Sequence, residues 1–175
     1  MMIAILIPLL PLIGAIAIGV FGKRLGSAAS RIGVSATVTA CFPSSFTLYV
    51  VSIGKPIEIT LWPLTENSSA FFKFGILGDR RTGVMMLLIT SVSIVIHVYS
   101  IRYLEGDPGY ARFFTLLGFI TFGILALVSC PNLIMLFVFW QLLSWSLYLI
   151  LAFNYEHVPA YQNAFKTLII HRIGD

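Results

Sequence analysis

The sequence predicts an all-α integral membrane protein: a polytopic helical bundle of five full spans plus the start of a sixth, with a short extramembrane β-hairpin. Three observations predict it. Hydrophobic residues make up 58% of the 175 and charged residues only 10%, less than half the charged share of a soluble domain. Mean hydropathy is +0.95. The few charges are also segregated, with none in 1–22, 32–54, 82–101 or 113–155. A membrane-spanning helix needs about 20 mostly apolar residues, so each gap is long enough for a span. A soluble enzyme, a nucleic-acid-binding module and a disordered tail are excluded, because each needs far more polar surface. The net charge of +4 is scattered along the chain and forms no basic patch. Cys41 and Cys130 lie in apolar runs, with neither metal-ligand spacing nor a disulfide framework.

The first span, about 2–22, has no basic start and no small-residue cleavage site. It is therefore expected to be a retained helix and not a signal peptide. Pro8 and Pro11 should kink it, as Pro43 should kink the second span, about 32–53. A polar segment, about 55–81, follows. Ile57-Glu58-Ile59-Thr60-Leu61 and Phe72-Lys73-Phe74-Gly75-Ile76 each alternate with period two, with Thr65-Glu66-Asn67-Ser68 as a turn between them. This pattern predicts a β-hairpin on the membrane face. Asn67-Ser68-Ser69 also matches a glycosylation acceptor, a triplet common by chance. The third span covers about 83–101. The run 113–155 is too long for one helix crossing, and Cys130-Pro131-Asn132 supplies a turn near its middle. It divides into spans of about 113–129 and 132–153. A sixth begins near 161.

Orientation follows from loop Lys and Arg. Lys23, Arg24, Arg31, Arg102, Arg112 and Lys166 fall in one set of alternate loops, and Lys55, Lys73, Arg80 and Arg81 in the other. The bias places the 23–31 loop in the cytoplasm, the N-terminus outside and the hairpin on the outer face.

Polar residues inside spans are the functional candidates, since lipid disfavours them and they face a partner helix or a wet cavity. Gln141, Ser144 and Tyr148 follow i, i+3, i+7 spacing on the fifth span and share a face. They serve either interhelical hydrogen bonding or a hydrated path. His97 lies near the inner end of the third span, His171 and Arg172 in the sixth. Arg172 and Asp175 are spaced to pair on one helix face, and imidazole relays protons near neutral pH. No Gly-rich phosphate loop, nucleophile elbow, zinc-ligand spacing or haem signature is present. The chain is expected to hold no catalytic centre, cofactor or metal of its own.

The stretch His97-Val-Tyr-Ser-Ile-Arg-Tyr103-Leu-Glu-Gly106-Asp107-Pro108-Gly-Tyr-Ala-Arg112-Phe113-Phe114 resembles a motif of the antiporter-like membrane subunit of respiratory complex I, chain 5 or subunit L. Ile7-Pro8-Leu9-Leu10-Pro11-Leu12, then Asn132-Leu133 with Trp140 and Tyr148, and Lys166 through Arg172-Ile173-Gly174-Asp175 resemble further parts of it. The resemblance covers nearly the whole chain, so 1–175 is expected to be an N-terminal portion of one antiporter-like domain. It implies a multi-pass protein of a bacterial or mitochondrial inner membrane; the expectation is the bacterial cell inner membrane. It also implies proton translocation driven from elsewhere in a complex, and other membrane subunits as partners besides the lipid bilayer. NADH, flavin, iron–sulfur and quinone sites would then lie on other subunits, and no nucleic acid is implied.

Two departures stand out. The family's fifth-span glutamate follows the tryptophan, where this chain has Gln141. An amide holds water but cannot ionise. The lysine-bearing seventh helix also lies beyond Asp175, so a fragment, a truncated product or one piece of a split subunit is expected. The Gln141 departure, with Arg102-Tyr103-Leu104 and Ser144-Trp145-Ser146-Leu147, also resembles the related membrane subunit of bacterial inorganic-carbon accumulation. That subunit implies a soluble, zinc-containing, carbonic-anhydrase-like partner. A cation/proton antiporter subunit and a non-transporting membrane scaffold are the remaining alternatives.

Overall fold

The structure, a computed structural model, describes residues 3–26, 28–54, 57–63, 73–153 and 158–174. The elements run α1 Ile3–Leu25, α2 Ala28–Ile53, β1 Ile57–Pro63, β2 Lys73–Gly78, α3 Arg80–Tyr103, α4 Tyr110–Val128, α5 Leu133–Leu151 and α6 Val158–Gly174. The first five helices are long and apolar enough to cross a membrane, in the order expected. β1 and β2 pair antiparallel, Ile57 opposite Gly78, with an irregularity between Thr60 and Trp62. The hairpin is therefore present; its turn and the Asn67 triplet lie outside the described residues.

Several helices overrun the uncharged runs by up to a turn. α1 takes in Lys23 and Arg24, α2 contains Arg31, α3 starts at Arg80, and α4 contains Arg112. Long basic side chains extend from a helix end toward water, so a charge need not end the helix. Lys166 is a correction. It lies midway along α6 and is exposed, not in a loop, because the helix starts at Val158. Without it the basic residues divide five against four.

Among the described residues, two helix ends carry side-chain caps. The Asp79 carboxylate accepts from the Thr82 amide at 2.7 Å at the start of α3, and Asn132 accepts from the Met135 amide at 2.8 Å at the start of α5. Each satisfies an amide that the first helical turn leaves without an intrahelical partner. Pro8, Pro11 and Pro43 all sit inside helices.

α1 packs on α2 and α4, and α2 on α3; α5 lies against α4, and α6 against α5. Small residues set the spacing. A Cβ added at Gly14 would come within 2.7 Å of Ala36 Cβ, and one at Gly118 within 2.9 Å of Ala15 Cβ. Backbones approach this closely where no side chain intervenes, the usual basis of helix association in lipid. The buried face of α2 reads Ala29, Ser30, Gly33, Thr37, Ala40, Ser44, Thr47, Val51. That of α3 reads Thr82, Gly83, Met86, Thr90, Ser93, His97, Ser100. Thr37, Ser44 and Thr90 donate to carbonyls four residues back, at 2.8–3.1 Å, so these hydroxyls are buried at little cost. Large apolar side chains point outward instead, Phe42, Val95, Leu133 and Ile170 among them. Such an inside-out surface suits lipid.

The connections alternate between the two ends of the bundle. The hairpin and the 129–132 turn share one end, joined by the Leu77 amide donating to the Ser129 carbonyl at 2.9 Å. The α1–α2 and α3–α4 loops lie at the other, called the loop face below.

Candidate functional site

His97 is the most buried ionisable group described within a span, with its side chain fully enclosed. Its Nδ1 donates to the Ser93 carbonyl oxygen at 2.8 Å. A carbonyl only accepts, so Nδ1 carries a proton, and in neutral imidazole Nε2 is then the lone-pair atom. Nε2 is buried and has no hydrogen-bond partner among the described residues. The same ring edge faces α2: a Cβ on Gly33 would stand 3.2 Å from His97 Cδ2 and 3.2 Å from Phe114 Cδ1. The Phe114 ring lies 6.0 Å from the imidazole, centre to centre.

A directed hydroxyl chain extends from the other ring nitrogen. Thr121 Oγ1 donates to the Leu117 carbonyl at 2.9 Å. Ser93 must therefore donate in the 2.7 Å bond between Ser93 Oγ and Thr121 Oγ1. Ser93 Oγ is left accepting, 3.3 Å from His97 Nδ1. This α3–α4 contact is not among the sequence expectations. Its signal is the polar stripe Thr90, Ser93, His97, Ser100, spaced three and four apart on one apolar helix.

The motif loop is built for geometry. Gly106 has φ +89, a left-handed conformation open to glycine without strain. Asp107 Oδ1 accepts from the Gly109 amide at 2.6 Å, folding the loop into α4. Arg112 Nη2 donates to the Phe153 carbonyl at 2.6 Å, and its guanidinium lies 5.2 Å from the Phe153 ring centre. A Cβ on Gly109 would strike Phe153 Cζ at 2.7 Å. The loop thus clamps the start of α4 to the end of α5. Tyr103 is exposed and stacks on Tyr99 at 5.8 Å, and Pro108 is exposed.

On α5, Ser144 is buried while Gln141 and Tyr148 are half-buried, on the shared face the spacing predicts. The Trp145 and Tyr148 rings meet edge to face at 6.4 Å. Arg172 of α6 sets its guanidinium 5.5 Å from the Trp145 ring centre, a cation–π contact. His171 is exposed. Asp175, and with it the expected Arg172–Asp175 pair, lies outside the described residues. The candidates thus form two groups that do not converge. His97 belongs to the α1–α4 bundle, whereas Gln141, Ser144, Tyr148 and Arg172 belong to the α5–α6 layer. No three His, Cys, Asp or Glu side chains converge among the described residues.

A cavity of 610 Å³ opens between the helices at the loop face, lined among others by Ser30, Arg31, Glu105, Asp107 and Tyr110.

Residues 64–114 match the family described as NADH-ubiquinone oxidoreductase (complex I), chain 5 N-terminus. The chain is 36% identical to NADH-ubiquinone oxidoreductase chain 5 of Marchantia polymorpha, over 98% of this chain and 26% of that one. It is 34% identical to a probable inorganic carbon transporter subunit, DabB1, of Halothiobacillus neapolitanus, over 97% of this chain and 29% of that one. Among solved structures, the membrane-bound sulfane sulfur reductase, an archaeal respiratory membrane complex, contains a chain of the same fold. The TM-score is 0.87 at 20% identity, over 99% of this chain and 35% of that one. The chain spans under a third of the length of the relatives named. It is a multi-pass membrane protein, and over nearly its whole length it is similar to the antiporter-like family of complex I chain 5 and its relatives.

Proposed function

We propose that the chain is the N-terminal portion of a proton-translocating membrane subunit of an NADH-quinone oxidoreductase-like complex, in which electron transfer on other subunits drives proton movement. The observation that carries this reading is the run from His97 to Phe114. It lies within the segment matched to the chain 5 family, and it joins a fully buried imidazole to the loop that clamps α4 to α5. Gln141, Ser144 and Tyr148 are proposed to hold water on α5, and His97, His171, Arg172 and Asp175 to exchange or steady protons. NADH, flavin, iron–sulfur and quinone sites are assigned to partner subunits. The loop face is assigned to the cytoplasm of a bacterial cell, with the N-terminus outside.

The test is proton uptake by the full-length protein, with its partner subunits, in proteoliposomes carrying a pH dye. Gln141→Glu restores an ionisable group in the fifth helix and is expected to change proton flux. If Gln141→Glu and Gln141→Ala both leave flux untouched, the α5 polar face is packing.

A second reading, the membrane subunit of a cation-driven inorganic-carbon transporter, is favoured by the likeness to the probable inorganic carbon transporter subunit and by the amide at 141. Purification of the tagged full-length protein separates the two. Co-purifying quinone-oxidoreductase subunits support the first, and a zinc-containing carbonic-anhydrase-like protein supports the second.

A further inference from the structure

We propose that the loop-face cavity and the buried imidazole of His97 form one hydrated inlet, through which water and hydronium from that face reach His97 Nε2. Four helices carry the inference in register. The cavity is lined by Gly22 of α1, Ser30 of α2, Ile101 of α3 and Tyr110 of α4. Three or four residues deeper on the same helices stand Ile18, Gly33, His97 and Phe114, which meet one another around Gly33. The vertical step is one helical turn, about 5 Å, the span of one or two water molecules. Arg31 and Glu105 line the cavity above and are exposed, so charged groups stand at the opening.

Nε2 is the second, independent observation. It is a buried acceptor without a partner among the described residues, on the ring edge that faces Gly33. A buried polar atom of this kind is ordinarily satisfied, by an ordered water where protein supplies no donor. Glycine at 33 keeps a side chain off this ring edge, since a Cβ there would press on the imidazole and Phe114 at 3.2 Å. The proton step is simple: hydronium transfers its proton to the Nε2 lone pair and leaves as water, and the imidazolium returns it by the same route. No titratable side chain faces the imidazole from Ile18, Gly33 or Phe114. On its far side stand the hydroxyls of Ser93 and Thr121. The use of this inlet in proton movement rests on the function proposed above; its existence does not.

The test is silver-ion access to a thiol at the bottom of the inlet. His97→Cys is made in the full-length protein with Cys41 and Cys130 replaced by alanine, in sealed vesicles of both orientations. Silver blocking is read by later maleimide labelling of the denatured protein, with Ser30→Cys marking the cavity. The thiol introduced by His97→Cys is expected to be blocked from the loop face only, and Gly33→Val to slow blocking at least about tenfold. Blocking from the hairpin face, no blocking from either face, or indifference to Gly33→Val overturns the inlet. If His97→Cys does not accumulate in membranes, deuterium exchange at the imidazole C2 of native His97 decides instead. Exchange is expected within the range of surface histidines and slowed by Gly33→Val; exchange as slow as in a dry core overturns the inlet. Proton flux in proteoliposomes fails or succeeds separately. A silver-blocked thiol without flux in the native protein overturns the function alone, and flux with a thiol that silver never reaches overturns the inlet alone.

Discussion

Single side chains in this protein act mainly by finding polar partners inside a low-dielectric layer. The Ser93–Thr121 contact is one such pair, joining α3 to α4 at 2.7 Å. Thr121→Val keeps the shape and removes the bond, and is expected to lower stability by about 0.6 kcal/mol, with an upper bound near about 2 kcal/mol. Unfolding in mixed micelles followed by helicity measures it. Asp79 shows the same economy at a helix end. The amide and then the hydroxyl of Thr82 hold its carboxyl below the ordinary value of 3.8, helped by Arg81. A carboxyl with a depressed folded-state value stabilises fully above its unfolded value and loses that contribution as pH falls through the folded one. Protection of the Thr82 amide from hydrogen exchange should therefore persist at neutral pH and weaken below about pH 4. Asp79→Ala should remove the cap at any pH, costing about 1 kcal/mol. Cys130, in the α4–α5 turn, has its thiol pushed up to about 11 by burial. It should stay protonated and alkylate slowly at about pH 8 in the folded protein, by mass spectrometry, and quickly once denatured.

Between elements the deciding quantity is distance, and small residues set it. α1 approaches α4 where Gly118 lies on Ala15 and the Pro11 carbonyl. Gly118→Leu would drive a branched side chain into that contact and is expected to cost about 1–3 kcal/mol. Gly174→Leu is the matched control, since nothing lies within 4 Å of a Cβ there, and it should be silent. Thermal aggregation of the two variants, followed by size-exclusion chromatography, separates them. The α3–α4 loop is a second element-scale device. Gly106, Asp107 and Arg112 are legible in the sequence as a family motif. Their work in the structure is to turn the chain and bind α4 to the Phe153 end of α5. A motif can therefore mark a clamp as readily as a chemical group.

The whole molecule is a four-helix bundle, α1–α4, with α5 and α6 layered on one side. Its connections alternate ends, so cysteines placed at exposed Glu105 and exposed Pro131 should be labelled by an impermeant maleimide from opposite sides of a sealed vesicle. Labelling of both from one side would overturn the five-span arrangement.

The spans, the hairpin, the fifth-span polar face and the likeness to complex I chain 5 are legible along the chain alone. These follow from run length, period-two and 3.6-residue patterning and one dense motif, all local along the chain. Helix ends are less legible, because a Lys or Arg extends toward water without ending the helix, as at Arg31 and Arg112; Lys166 reads as a loop residue and lies midway along α6, because that helix starts at Val158. Which polar residues meet depends on how the helices pack. His97 is a span-end histidine by its position, and its burial against Gly33, Phe114 and Ser93 depends on how three helices pack. Gln141, Ser144 and Tyr148 share their face as spaced, yet they lie in a different layer from His97. Helical periodicity fixes which side of a helix a residue is on; which helix packs against that side is settled by small residues far apart in sequence.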